Sequence, residues 1–172
     1  MTIDITLPDG SVRNYDSPVT GFQIAESIGP RLLKDAICIE INNSFKDLSY
    51  EVSNSNNVRI ITNKDLDALH ILRHSSAHIL AQAVLNLYPD AQFGVGPSIE
   101  NGFYYDFLFT NPIKESDLTN IEQEMINIAK SSQSFIRSEI SKKDAIKIFK
   151  KQKLKIELIE SAESDEGVGS DT

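Results

Sequence analysis

The chain has 172 residues, of which 40% are hydrophobic, and a formal net charge of −8. That size supports one medium domain or two small ones with a buried core. The chain lacks the run of about 18 apolar residues that a membrane helix needs, and its acidic balance excludes a protein that grips nucleic acid over its whole surface, because phosphate binding draws on Lys and Arg.

The N-terminus predicts a cytoplasmic protein. Residues 1–4 carry neither the basic flank nor the apolar core of a signal peptide. The single cysteine, Cys38, lies in the apolar run 36–39, so no internal disulfide can form and a buried structural thiol is predicted.

A hairpin and a capped helix are predicted at the start of the chain. Apolar residues alternate with polar ones over residues 2–16, on both sides of the turn 8–10. Thr20 and Gln23 have the spacing of a capping box, and the Gly-Pro pair at 29–30 ends the helix.

Two further strands complete the first predicted domain. Residues 36–41 and 58–61 are short and rich in branched apolar residues, with a polar loop at 53–57 between them. The order strand, strand, helix, strand, strand is typical of a β-grasp fold, to which we assign residues 1–62.

The longest predicted element is a helix from Lys64 to about Tyr88, opened by Thr62 and Asp65 in cap spacing. At about 100° per residue, six residues of this helix point in nearly the same direction and form a stripe that is predicted to pack into a core. Arg73 lies unexplained at the edge of this stripe. The members of this stripe are Leu69, Leu72, Ser76, Leu80, Ala83 and Leu87.

The rest of the chain predicts a second, mixed α and β domain over residues 63–160, so the fold class is α+β. It is predicted to contain two strands around a glycine-rich bend, two helices and a last strand, and a disordered acidic tail is predicted to follow it. In chain order these are 93–97, 102–107, 116–130, a helix capped by Ser141 and Asp144 that runs toward Lys151, 154–159 and 161–172.

One segment is strongly basic. Seven of the 17 basic residues lie between Lys142 and Lys155, and Asp144 is the only acid among them. A solvated helix face is the simplest interpretation of this run.

All three histidines lie four residues apart on the long helix, at His70, His74 and His78, and so share one face. Two imidazoles one turn apart can hold a metal ion, or one can take a proton from water while the other orients a substrate. The spacing permits either, and surface helices also produce it by chance. The pattern lacks the internal glutamate of the H-E-x-x-H metalloproteases.

A second candidate motif runs over residues 93–106, where glycines allow close approach and aromatic residues can stack on a base. It matches neither a phosphate loop nor a dinucleotide fingerprint. For Phe103, Tyr104 and Tyr105, ordinary strand core is the alternative interpretation.

Three stretches together resemble the bacterial threonyl-tRNA synthetases: residues 5–11, 73–81 and 96–106, in that order and spacing. The resemblance extends from residue 1 to about residue 158. It implies an N-terminal TGS domain with the β-grasp fold, followed by an incomplete domain of the kind that removes serine mistakenly attached to the threonine tRNA. Such proofreading is needed because one methyl group, worth about 1–3 kcal/mol, cannot discriminate serine from threonine strongly enough.

The resemblance also implies roles for individual residues. Two histidines would hold the tRNA 3′ end and the attacking water, a tyrosine and a lysine would match the aromatic and basic residues of the pocket, and His70 would be a surface residue. The implied catalytic residues are His74, His78 and Lys155, and the implied substrate-binding residues are Tyr104, Gly96 and Pro97.

This sequence departs from the family pattern in its later part. The family completes the pocket with a downstream aspartate and a Cys-x-x-x-His pair, whereas this chain has no cysteine or histidine after His78. The ATP-, Mg- and Zn-binding motifs and the anticodon-binding domain are also absent, so no bound cofactor or metal is expected. The implied partners are the 3′ end of the threonine tRNA and the remainder of the synthetase, with homodimerisation through other domains and no membrane. We expect the chain alone neither to charge nor to deacylate tRNA.

Two other readings stay open. A free-standing editing factor related to the alanyl-tRNA editing domains would use similar histidines with zinc and would need a second ligand pair. A non-catalytic module, in which the β-grasp domain binds RNA or a regulatory ligand, predicts binding by residues 1–62 alone.

Overall fold

A computed structural model describes residues 1–136 and 138–162 of the chain. The chain divides into two compact units, Met1–Leu72 and a second unit that begins at Arg73. None of the helices in the described ranges is both long enough and apolar enough to cross a membrane.

The first unit is built on a five-stranded sheet with strands in the order β2-β1-β7-β4-β5. Neighbouring strands are antiparallel except β1 and β7, which are parallel. This arrangement, with a helix between the two halves, confirms the predicted β-grasp fold. The elements are β1 (Thr2–Thr6), β2 (Val12–Asp16), β3 (Val19–Thr20), α1 (Gly21–Ile28), α2 (Pro30–Asp35), β4 (Ala36–Ile41), β5 (Ser44–Lys46), β6 (Glu51–Val52) and β7 (Asn56–Thr62).

The core of the first unit follows from the period-two pattern of its strands. Ile3 and Ile5 point inward from β1, while their polar neighbours face solvent, and Ile39 of β4 is fully buried beside them. Cys38 is also buried, as predicted, and burial raises the pKa of its thiol to about 11. Strand β7 begins at Asn56, inside the predicted loop, because residues 56 and 57 pair with β1.

Helix α1 begins and ends where the sequence predicts. The Gln23 backbone N–H donates to Thr20 Oγ1 at 3.3 Å and the Thr20 N–H donates to Gln23 Oε1 at 2.8 Å, so both halves of the capping box form. Gly29 ends α1, and Pro30 occupies the first turn of α2, where its missing N–H costs no hydrogen bond.

The long helix α3 spans Leu66–Leu87. Its start is held by Asp65, whose carboxylate accepts from the Thr62 N–H at 2.7 Å and from the Thr62 hydroxyl at 2.8 Å. Arg59 of β7 bonds to three carboxylates, those of Glu40, Asp65 and Asp67, and so ties the sheet to the first turn of α3.

The predicted stripe of α3 is only partly right: Ala83 is buried and Leu80 packs against the same core, but the other three leucines of the stripe are not buried. Leu69, Leu72 and Leu87 are 40–48% exposed, whereas the buried positions of this helix are occupied mainly by alanine. Small side chains let neighbouring elements approach the helix axis closely, so the packed face is not the face with the largest apolar residues. The buried residues are Ala68, Ala77, Ala81, Ala83 and Val84.

The second unit combines the later turns of α3 with short strand pairs and three helices. β8 pairs with β11 and β9 pairs with β10, both antiparallel, and the apolar core lies between α3 and the helix α4. The elements are β8 (Gln92–Phe93), β9 (Ser98–Ile99), β10 (Gly102–Phe103), β11 (Phe107–Leu108), α4 (Glu115–Lys130), α5 (Lys142–Ile148) and α6 (Lys153–Ser161).

The last predicted strand, 154–159, is instead part of helix α6. Its less exposed residues include Leu154, Lys155 and Ile159, a spacing of four to five residues that a helix places on one side. The predicted cap of α5 is confirmed, since Ser141 accepts from the Asp144 N–H. Of the predicted disordered tail 161–172, residues 163–172 lie outside the described residues.

Candidate functional site

The centre of the candidate site is the pair His74 and His78, one turn apart on α3. Their Nε2 atoms lie 3.0 Å apart, and the two rings meet edge to face with centroids 4.6 Å apart. Both side chains are half-buried, whereas His70, one turn earlier, is exposed. In this hydrogen bond one Nε2 donates and the other accepts, so the two rings share a single proton. A water or hydroxyl oxygen placed between the two rings would replace this hydrogen bond with two, one to each Nε2.

This geometry fits a proton-sharing pair better than a metal site. Two nitrogens bound at about 2.05 Å to a tetrahedral zinc lie about 3.3 Å apart, farther than the 3.0 Å observed here. No group of three potential metal ligands among His, Cys, Asp and Glu converges anywhere in residues 1–136 and 138–162. The described residues therefore do not fit the zinc site that a free-standing editing factor would use.

Arg73 connects the histidine-bearing turn to the β9–β10 hairpin. Its Nη1 donates to the backbone carbonyls of Glu100 at 2.5 Å and Ile99 at 3.3 Å. The sequence left this arginine unexplained, because its acceptors are backbone atoms of a hairpin that starts 25 residues later. The contact fixes the hairpin beside the histidine pair.

A second wall comes from the segment after α4. The Phe135 ring lies 6.3 Å from the His78 ring, and Gln82 Nε2 donates to Gln133 Oε1 at 3.0 Å. Nothing in the local sequence predicted these contacts, since more than 50 residues separate the partners. Phe135 is thus an aromatic neighbour of His78, and the β9–β10 hairpin is joined to the same helix through Arg73.

The three residues assigned to substrate binding lie together at the base of the hairpin. The Tyr104 N–H donates to the Pro97 carbonyl at 3.4 Å, and Gly96 lies against the face of Tyr105. Tyr104 is 47% exposed, whereas Phe103 and Tyr105 are half-buried. Tyr104 is therefore the most exposed of the three aromatic residues.

Lys155 occupies a different position from the histidines. It is 8% exposed, and its Nζ lies 5.2 Å from the centroid of the Phe93 ring on β8. Helix α6 is anchored there by Gln152, which accepts from the Phe93 N–H and donates to the Ala91 carbonyl. Burial lowers the pKa of Lys155, because the cation loses hydration that the aromatic ring only partly replaces.

The lowered pKa of Lys155 gives a testable pH dependence. In the unfolded chain this amine keeps its proton up to a pKa near 10.5, whereas the folded protein releases it earlier. Between the two pKa values the unfolded state binds more protons, so stability rises with pH. We expect the free energy of unfolding of the natural chain to increase relative to Lys155→Met as pH approaches 10.5, measured by urea denaturation. A constant difference across that range would contradict the burial of a charged amine.

Two surface cavities lie away from the histidine pair. One, of about 340 Å³, is lined by the end of α3 and by α4, including Tyr88, Asn120 and Asn127. The other, of about 310 Å³, is on the first unit beside Tyr50 and Asn54. Neither contains a residue that the sequence assigned to the site.

Comparison with known proteins identifies both parts of the chain. Residues 3–62 match the family described as the TGS domain. The compact first unit extends ten residues beyond this match, because Ala68 and Ile71 of α3 pack against Cys38 and Ile61.

The whole chain matches a set of bacterial enzymes. It is 45% identical over 168 residues to the threonine–tRNA ligase of Francisella philomiragia, 44% over 169 residues to that of Ralstonia nicotianae and 45% over 170 residues to that of Paramagnetospirillum magneticum. These matches cover 96% or 97% of this chain but only 26% or 27% of each relative, so the chain spans about a quarter of the length of the curated relatives it matches. Residues 3–62 therefore form a TGS domain, and the chain as a whole is related to the N-terminal region of the bacterial threonine–tRNA ligases.

Proposed function

We propose that this chain acts as part of a threonine–tRNA ligase and supplies the histidine-bearing wall of a site that hydrolyses seryl-tRNA. The observation that carries the proposal is the 3.0 Å contact between His74 and His78 within a chain related to these ligases. In this proposal residues 1–62 form the TGS domain and residues 63–160 an editing-type domain. The partners are the threonine tRNA, through its 3′ end, and the remainder of the ligase, which would also provide the homodimer contacts.

The paired imidazoles suit ester hydrolysis at the end of a tRNA. Water adds to the ester carbonyl, the ester C–O bond breaks, and the proton taken from water by one imidazole returns to the ribose oxygen through the other. The short Nε2–Nε2 separation lets a proton pass between the rings without a large movement. The exposure of Tyr104 at the base of the hairpin supports its assignment as a ligand contact, and Arg73 bonds to that hairpin.

Lys155 has a supporting role in the proposed site. Its buried amine beside Phe93 places a positive charge under the strand that leads into Gly96 and Pro97. A cation in a poorly hydrated position attracts phosphate or a developing oxyanion more strongly than an exposed lysine does. We propose that it stabilises negative charge near the tRNA end.

A chimera with a relative tests this proposal. The N-terminal region of the Francisella philomiragia ligase is replaced by this chain, and serine release from mischarged threonine tRNA is measured. We expect the chimera to clear serine, and the variant His74→Ala/His78→Ala to lose that activity by roughly 100-fold or more while still charging threonine.

His70→Ala is the matched control, because this histidine lies on the same helix but is exposed. It is expected to edit normally. A double variant that clears serine as fast as the parent chimera would refute the assignment. The isolated chain is expected to release serine at the uncatalysed rate.

A further inference from the structure

We infer that exposed lysines of α5 and of the turn between α5 and α6 form a docking surface for the phosphate backbone of RNA. The surface, here called the lysine patch, consists of Lys143, Lys150, Lys151 and Lys153. The inference rests on the proposed function for its choice of RNA as the polyanion, and it adds a binding surface that is separate from the histidine pair.

The structure separates these four lysines from the other three in the basic segment. Lys155 is buried against Phe93, and Lys147 forms an ion pair with Asp144 at 2.7 Å. Lys142 Nζ donates to the carbonyls of Glu160 and Ala162, which joins the start of α5 to the end of α6. Each of these three therefore already has a partner within the protein.

The four patch lysines differ from these three. All are exposed, and within the described part of the chain no Asp or Glu forms an ion pair with them. Three of them lie within four residues at the α5–α6 turn. In a chain with a formal net charge of −8, such a cluster is a local reversal of sign that attracts polyanions.

The position of the patch argues against a merely solvated face. Helix α6 begins at Lys153 and has no acidic residue in its first turn and no side-chain cap. Cations at a helix N-terminus oppose the helix dipole, so a sequence optimised for stability would place acids here. An RNA phosphate near this turn would be favoured both by the lysines and by the positive end of the helix.

The lysine patch and the histidine pair are linked within the second unit. The Lys153 N–H donates to Gln92 Oε1 at 2.7 Å, so the patch is fixed to β8. β8 leads through residues 94–97 into the hairpin that Arg73 holds beside His74. Under the inference, the backbone of the RNA contacts the patch while its 3′ end lies at the histidines.

Salt-dependent binding of a short RNA hairpin with a single-stranded 3′ end tests the inference. Each neutralised phosphate contributes a slope of about −0.7 to −0.9 in log affinity against log salt, so four lysines predict a roughly 50- to 150-fold loss of affinity between about 50 and 200 mM salt. The variant with all four patch lysines changed to glutamine is expected to bind more weakly at low salt and to lose most of this dependence. Fluorescence anisotropy of the labelled RNA measures both.

The matched control is Lys34→Gln/Lys64→Gln/Lys114→Gln/Lys130→Gln, which removes the same charge from exposed positions elsewhere. It is expected to keep the salt slope of the natural chain. Equal weakening in both variants, or an unchanged slope in the patch variant, would overturn the inference. So would binding to anionic phosphatidylserine vesicles without binding to the RNA.

The RNA-docking role of the lysine patch and the proposed function of the histidine pair can be tested separately, since either one can be wrong while the other is right. The patch variant is expected to bind a small seryl-adenosine analogue as the natural chain does, because the analogue carries no phosphate backbone. Loss of RNA binding with retained analogue binding in the patch variant supports the patch. Retained RNA binding with lost analogue binding contradicts the proposed histidine site.

Discussion

Replacement of Ile39 by alanine is expected to lower the free energy of unfolding of the first unit by about 2–5 kcal/mol. Ile39 is 0% exposed and lies in β4, an interior strand that pairs with both β5 and β7. Removing its side chain leaves a cavity that the surrounding strands, held by ladder hydrogen bonds, cannot collapse to fill. Urea denaturation followed through NMR signals of residues 1–72 measures the effect on this unit alone.

The control for Ile39→Ala is Leu66→Ala. Leu66 is 93% exposed at the start of α3, so the same kind of truncation there removes almost no buried area. Its free energy of unfolding is expected to stay within about 0.5 kcal/mol of the natural chain. A loss below about 1 kcal/mol for Ile39→Ala would mean that β4 does not form the centre of the core.

Gly96→Ala is expected to destabilise the second unit by about 1–3 kcal/mol. A Cβ at this position would lie 2.1 Å from Tyr105 Cδ2 and 2.4 Å from Cε2, closer than any real carbon contact. The ring cannot easily yield, because it stacks on Phe107 with centroids 5.0 Å apart and also adjoins Phe93. The bend that carries Pro97 must therefore move, which should also disturb the hairpin beside the histidines.

Gly94→Ala is the matched control for this substitution. Its added Cβ would meet its nearest neighbour, Asp106 Cβ, at 3.4 Å, an ordinary contact. The two variants are compared through NMR signals of the second unit during urea denaturation. In the double variant Gly96→Ala/Tyr105→Ala the cost should be less than the sum of the single costs, because the clash is removed. Equal effects of the two glycine substitutions would show that Gly96 and Tyr105 do not pack as described.

The elements that the sequence predicted best have local signals. The turn at residues 8–10, the box of Thr20 and Gln23, and the cap at Ser141 each involve residues within a few positions of one another. These signals act in the same way whatever the rest of the chain does. The β-grasp topology followed from their order.

The predictions that failed depend on packing between distant elements. The stripe on α3 was assigned from angular position, but of its leucines only Leu80 packs against the core, and the buried positions are mainly alanines. Residues 154–159 are rich in residues that suit either a strand or a helix. The structure has a helix there, which contacts β8 through Lys155 and Gln152. Short apolar runs cannot be resolved by periodicity alone.

The candidate site likewise combines features that the local sequence predicts with contacts between distant residues that it does not predict. The pairing of His74 with His78 follows from their spacing on one helix, and the structure brings their rings into contact. The contacts that enclose them, from Arg73 to the hairpin and from Phe135 to His78, join residues 26 or more positions apart and left no mark in the sequence. The roles of Lys155, Tyr104, Gly96 and Pro97 in binding remain predictions.

The histidine pair can be tested directly because the chain contains only three histidines. The intact protein, labelled with ¹⁵N in its imidazoles, is titrated with a seryl-adenosine analogue in which an amide replaces the labile ester. The signals of His74 and His78 are expected to shift together and to saturate, while the signal of His70 stays in place. Signals that do not move at millimolar analogue, or three signals that move by the same amount, would contradict a site built on these two rings.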